Sequence, residues 1–181
     1  DHPFEVSVAM LTATGVDGAS LAQATEGLDL LEIPYSSGSD ANSALVGGHC
    51  DLYVCGWDDI AGLVESGDIV PILALCENRM SIAPDLQCSV ENGIDSVMGP
   101  WRGIFAKKGT PQEAIDTLVA AIEEAKQSDT WKEFTHNAAY DERPIPAPGE
   151  ETAEFCHNEY KDLHDYMVEQ GTLVKDYDDL K

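Results

Sequence analysis

The sequence predicts an α/β fold organised around a mainly parallel sheet. Between Phe4 and Leu75, short apolar runs alternate three times with helix-start signals, and a glycine follows each of the predicted helices. The most complete unit runs from Leu30 to Trp57. Leu30 to Tyr35 is an apolar run closed by Pro34, and Asp51 to Cys55 is another, so both read as buried strands. Between them, Ser36 to Asp40 places Ser, Gly and Asp at a helix start, Ala41, Ala44 and Leu45 form a small apolar face, and Gly47-Gly48 stops the helix. Parallel sheets of this kind bind ligands at the loops leaving the carboxyl ends of their strands. Ser36 to Asp40 and Gly56 to Asp59 are therefore the first candidate site loops.

The flanking segments repeat the pattern. Phe4 to Met10 alternates apolar and polar residues as a strand does, then empties into the small-residue loop Leu11 to Gly18. A short helix follows from about Asp17 to Thr25, with Leu21 and Ala24 inward and Gly27 as its stop. Asp58 or Asp59 opens a helix carrying Ile60, Leu63 and Val64 and ended by Gly67, after which Ile69 to Leu75 reads as a returning strand. From Cys76 to Gly99 the periodicity fades, and the expectation is a long loop with one helical turn near Ser89 to Asn92. Trp101 to Ala106 reads as a strand with Trp101, Gly103 and Phe105 on one side. Thr110-Pro111-Gln112-Glu113 has the pattern of a capping box, and Ile115, Leu118, Val119, Ile122 and Ala125 recur behind it at helical spacing. Trp131 and Phe134 mark a short helix. Pro144, Pro146 and Pro148 enforce an extended connection, and a last helix spans about Glu150 to Gln170, with Ala153, Cys156, Tyr160, Leu163 and Met167 on one face.

Charge narrows the partners. Ten basic residues against 34 acidic ones give a formal net charge of −24, which argues against nucleic acid or an anionic membrane as a partner. An anionic ligand has to be held by local dipoles and a few cations against that background. No apolar run approaches the roughly 18 to 20 residues that span a bilayer. The chain opens at Asp1 with neither an initiator Met nor a signal peptide, which leads us to expect a processed or truncated product. Five scattered cysteines without a C-x-x-C pattern read as small buried hydrophobes. Cys50 and Cys55 project from opposite faces of one strand and cannot bridge directly, whereas a Cys76–Cys88 disulfide is left open.

Motifs for catalysis are sparse. There is no G-x-S-x-G, no P-loop and no G-x-G-x-x-G, and Ser36, Ser37 and Ser39 lack the flanking glycines of a nucleophile elbow. A Cys-His hydrolase using Cys55 or Cys50 is the enzyme alternative. His157 and His164 lie seven apart on the last helix with Glu154 one turn before, but further ligands are unspecified, so a solvated helix face is expected rather than a metal site. No cofactor is expected.

Four segments, taken in order, carry a resemblance. The stretch IPYSSGSDANSALVGGHCDLYV resembles the V-P-Y-x-G, helix, G-G-x-x-D signature of the tripartite tricarboxylate transporter substrate-binding receptors, the Bug family. The LTATGVDGAS loop precedes it, SGDIVPILALCENRM follows with its strand and basic residue, and WRGIFAKKGTPQEAIDTL is similar to the family's W-x-G-x-F-A-x-x-G-T-P hallmark. The likeness runs from about Phe4 to Gln170. Gly56-Trp57-Asp58 departs from the small residues usual there, and the Thr12 to Gly18 loop is poorer in Ser and Gly.

The resemblance implies a two-lobed, type II periplasmic-binding-protein fold. Residues 1–98 would be the second lobe and residues 99–181 the crossover and the helices returning to complete the first, whose opening segment has no counterpart here. It implies an extracytoplasmic receptor, reached through the periplasm or tethered to a membrane, that captures a small dicarboxylate, tricarboxylate or related acid and delivers it to membrane permease subunits. A sensor module of the same fold that signals to a partner protein is the alternative. The candidate ligand-binding residues are Thr14 and Gly15, Tyr35, Ser36, Ser37, Gly38 and Ser39, Trp57 and Asp58, and Trp101. Helix capping is the competing role for each serine, and lobe packing for Trp57. Asp58 facing the site would favour a ligand with an amino group or hydroxyls, and Arg102 reads as a surface ion-pair partner ahead of a ligand contact.

Overall fold

Ser7–Met10 forms the central strand, β1, of a three-stranded parallel sheet ordered β2-β1-β3. The computed structural model describes residues 5–11, 15–97, 99–141 and 145–171. On one side β1 pairs with β2, Leu31–Pro34, in the register Ser7 to Leu31 through Met10 to Pro34. On the other it pairs with β3, Leu52–Tyr53, with Val8 opposite Leu52 and Ala9 opposite Tyr53. The entry to β3 is fixed by Asp51, whose carboxylate accepts from the Ser7 amide at 2.8 Å and the Ser7 hydroxyl at 2.6 Å. Those two hydrogen bonds hold the Asp51 carboxyl below its ordinary titration range.

Three helices alternate with these strands, as the sequence predicts. They are α1 (Val16–Ala24), α2 (Gly38–Val46) and α3 (Trp57–Ser66). Side chains of β1 alternate between two small cores, the period-two consequence of a strand covered on both faces. Val8 and Met10 pack with Leu21 of α1, joined by Leu30, Leu52 and Val54. Ala9 packs with Ala41 and Ala44 of α2 and with Cys50, joined by Ile33, Tyr35, Leu45 and Tyr53. Gly67 closes α3 at φ +79°, the left-handed conformation that a side chain resists.

Beyond α3 the chain departs from the expected strands. Of Ile69 to Leu75 only Ala74 pairs, in a single parallel bridge to Cys88, and Val70 is 80% exposed. Pro71 has no amide hydrogen to donate, which weakens this run as a ladder strand. The 74–96 segment is held by local backbone hydrogen bonds and by side chains. Ser89, fully buried, donates to the Ser96 carbonyl at 2.7 Å, and Ser96 donates to the Ser20 carbonyl of α1 at 2.9 Å. Arg79 pairs with Glu91 through its Nε at 2.8 Å, pulling the Glu91 carboxyl down to about 2. The helical turn at Val90–Asn92 falls where expected. Cys76 and Cys88 are not joined by a disulfide.

Trp101 to Ala106 is extended but has no strand partner among the described residues. Its aromatic rings do share a side: Trp101 meets Phe105 at 6.1 Å and stands edge-on to Phe155 at 5.4 Å. Three helices follow, α4 (Gln112–Ala125), α5 (Asp129–Asn137) and α6 (Glu150–Glu169). The capping box does not form. Pro111 takes the N-cap position of α4, and the Thr110 hydroxyl turns back to the Lys107 carbonyl at 2.8 Å. No residue of α4 is fully buried, but Ile115, Val119 and Ile122 of its apolar stripe are half-buried and Leu118 is 55% exposed, whereas α6 packs against α1. Pro144 lies outside the described residues.

The small double core carries a prediction. Met10→Ala should lower the unfolding free energy by about 2–5 kcal/mol, while Leu118→Ala on the open face of α4 should change it by less than about 0.5 kcal/mol. Urea denaturation of both variants checks this, and equal losses would contradict the assignment of the core.

Candidate functional site

All three strands of the sheet run the same way, so the loops after β1, β2 and β3 leave from one edge and lead into the N-termini of α1, α2 and α3. A helix N-terminus presents unpaired N–H groups and a partial positive charge, which together favour an anion. The three helices therefore aim three such ends at one edge.

The α2 end is the best defined. Ser37 is its N-cap, accepting from the Asp40 amide at 3.2 Å and sharing a hydrogen bond with the Ser39 hydroxyl at 3.0 Å. Capping is thus a role that Ser37 demonstrably has. Gly38 opens the helix, and a Cβ added there would lie 3.4 Å from an Asp59 carboxylate oxygen and 3.5 Å from the Tyr53 hydroxyl. The first turn of α3, the end of β3 and the start of α2 meet at that point. Ser36 and Ser39 are exposed beside it. Tyr35 belongs to the core on the Ala9 face, although its backbone amide closes the edge by donating to the Met10 carbonyl at 2.8 Å.

The neighbouring ends carry carboxylates. Gly15 is the N-cap of α1, and Asp17 lies in the first turn. Thr14 lies outside the described residues. At α3, Gly56 is the N-cap, and Asp58 and Asp59 occupy the first turn. Burial, with Asp58 second, pushes the Asp59 carboxyl up, against the lowering effects of Arg102 and the Gly56 amide. Burial also pushes Asp17 up, with Asp59 adding to it. The Tyr53 hydroxyl, buried and without a hydrogen-bond partner, is raised as well. Cys55 is pushed up to about 12 by burial and by Asp59, Asp17 and Asp58. A thiol held protonated at neutral pH is a poor nucleophile, which weighs against the Cys-His hydrolase alternative.

Trp57 opens α3 next to this meeting point, whereas Trp101 is drawn to other aromatic rings. Trp57 shares the α3 face of Ala61 and Val64, and with Val70 and Leu86 lines a shallow, open groove of about 830 Å³. Trp101 is engaged with Phe105 and Phe155. The residue beside it reaches the site instead: Arg102 donates to Asp58 at 3.0 Å, contacts the Tyr140 hydroxyl and lies 5.2 Å from the centre of the Tyr140 ring. The expected surface ion pair is therefore present, and it bridges the segment after residue 99 to α3. Among the described residues no group of His, Cys, Asp and Glu is arranged to hold a metal ion. The sequence places Asp59 at the end of a candidate loop but singles out neither Asp17 nor Tyr53 as a site residue. An acidic pair just after a strand was the available signal for Asp59, whereas Tyr53 emerges only once α2 and β3 are packed together.

Residues 7–170 match the model of the tripartite tricarboxylate transporter family receptor. This chain belongs to that receptor family. Protein BugT of Bordetella pertussis is 28% identical over 178 residues, covering 96% of the chain and 54% of BugT. The receptor chain spans between 38% and 54% of the length of the curated relatives it matches. Its fold is that of solved periplasmic binding proteins. BugD superposes with a TM-score of 0.77 at 22% identity, over 94% of this chain and 58% of BugD. A Rhodopseudomonas palustris protein solved with adipate gives 0.78 at 18% identity (94% and 57%), and MatC of the same organism, solved with bound malate, gives 0.71 at 22% (90% and 57%).

Two outcomes follow for this receptor. Because the Asp59 carboxyl titrates higher in the fold than in the unfolded chain, its ionisation works against folding, and that cost is absent at low pH and appears as pH rises through its folded value. Asp59→Asn should therefore raise the melting temperature more at pH 7 than at pH 3.5, and an equal gain at both would contradict the raised Asp59 carboxyl. Cys55 should react with iodoacetamide at neutral pH at least about a hundredfold more slowly than an unperturbed thiol, which a mass-spectrometric time course reads directly.

Proposed function

We propose that this chain is the acid-capturing part of an extracytoplasmic solute receptor that delivers a small dicarboxylate, or a related organic acid, to the membrane permease subunits of a tripartite tricarboxylate-type transporter. The observation that carries this reading is the convergence of three helix N-termini on one edge of a parallel sheet, in a chain of this family. A carboxylate is the ligand such dipoles favour, and Ser37, Gly38 and Ser39 offer backbone amides and hydroxyls beside the edge. The malate and adipate in the two Rhodopseudomonas structures support a dicarboxylate, because both carry two carboxylates on a short carbon chain. Ligand is released unchanged, and no turnover is part of this function. No described helix is long and apolar enough to cross a membrane.

The energetics set how many donors are needed. Micromolar capture requires about 8 kcal/mol, and a charge-assisted hydrogen bond contributes about 1.5–3 kcal/mol before ordering costs are subtracted. One helix end is therefore too little. In this reading residues 1–98 form one lobe and residues 99–181 return to the other, so that further donors face the Ser37–Ser39 loop across a cleft.

Titration calorimetry of the purified receptor against malate, adipate, citrate and their amides tests the proposal. The expected result is saturable binding of at least one acid, no binding of its diamide and no product formed. Binding of none of the acids would overturn it. Gly38→Ala should leave the fold intact, since the added methyl meets its neighbours at ordinary contact distance, yet weaken the bound acid by about tenfold.

A further inference from the structure

A ligand carboxylate approaching the sheet edge meets the protein's own carboxylates first. Asp17 from α1 and Asp58 and Asp59 from α3 all act on the Tyr53 and Cys55 groups at the end of β3, and Asp40 lies in the first turn of α2. Asp59 reaches the place where Gly38 opens α2. In a chain of net charge −24, such a mouth repels a dianion unless a cation is fixed beside it. Arg102 is that cation. Its guanidinium donates to Asp58 at 3.0 Å and acts on Asp59 as well, and it is held from behind by the hydroxyl and ring of Tyr140. An exposed ion pair alone is weakly ordered, and the Arg102 side chain is 63% exposed, but Tyr140 gives its guanidinium a second partner beside Asp58.

We propose that Arg102 is a positioning residue for ligand charge: by neutralising the Asp58–Asp59 pair at the start of α3, it lets the edge accept a doubly charged acid. The inference rests on the receptor function proposed above. Arg102 acts through Asp58 and Asp59 rather than by touching the ligand, so its effect scales with the charge of the ligand and survives replacement by another cation.

The test is calorimetry of the full receptor with adipate and with adipate monoamide, for the wild type, Arg102→Gln, Arg102→Lys, Asp58→Asn and the Arg102→Gln/Asp58→Asn double variant. Arg102→Gln is expected to weaken adipate by about tenfold or more and the monoamide by no more than about threefold, because repulsion between charges scales with ligand charge. Arg102→Lys should stay within about threefold of wild type for both ligands, since the cation remains. The double variant should recover most of the adipate affinity, because the removed carboxylate no longer needs its counter-ion. Equal weakening of both ligands by Arg102→Gln would overturn the inference and leave a purely structural ion pair, as would a double variant no better than the single one. A wild type that binds neither ligand would instead defeat the receptor reading itself. Circular dichroism of each variant identifies loss of fold, and if Arg102→Gln unfolds, Arg102→Lys and Asp58→Asn still decide. Asp58→Asn alone should tighten adipate more than the monoamide, and no difference between the ligands would count against the proposal.

Discussion

Parallel pairing of Ser7–Met10 with a strand on each side is the constraint on which the rest depends. A parallel strand cannot be joined to its neighbour by a tight turn, so the β1-to-β2 and β2-to-β3 connections each contain a helix, and a third helix follows β3. Helices on both faces in turn demand apolar side chains on both faces of β1, which Val8, Met10 and Ala9 supply. The same direction of travel brings every strand-to-helix loop to one edge. The attraction of that edge for an anion is thus a consequence of topology before any particular side chain is considered.

What the sequence places at that edge is a balance of opposing charges. Helix dipoles attract an anion, and the helices carry their own acidic residues in the first turn, where those residues stabilise the helix ends. A carboxylate that serves one helix end well becomes a competitor when three ends meet. Burial first, and neighbouring carboxylates second, raise the Asp17 and Asp59 carboxyls, the Tyr53 hydroxyl and the Cys55 thiol, the last to about 12. Arg102, arriving from a segment more than forty positions away in sequence, relieves this competition at Asp58.

The central strand-helix-strand unit was legible because its signals agree: apolar runs of strand length, Ser and Gly at the helix start, Gly-Gly at its end, and a family signature across the same residues. Ser37 as a cap and Gly67 as a stop could be expected from residue type alone. Legibility failed where a strand needs a partner the local sequence does not specify. Ile69 to Leu75 and Trp101 to Ala106 both have strand composition, yet one makes a single bridge and the other is engaged through its aromatic rings and Arg102 rather than a ladder. Local pattern encodes a preference for extension, whereas pairing depends on what lies alongside. The meeting of Gly38, Tyr53 and Asp59 is hidden for the same reason, since it is made by packing α2 and α3 together.

A crystal structure of the receptor grown with adipate tests the central claim most directly. The account predicts one ligand carboxylate within hydrogen-bonding distance of the backbone amides at Ser37 to Ser39, at the carboxyl edge of β2-β1-β3. Adipate bound instead in the groove beside Trp57 and Leu86, with the α2 N-terminus untouched, would contradict it.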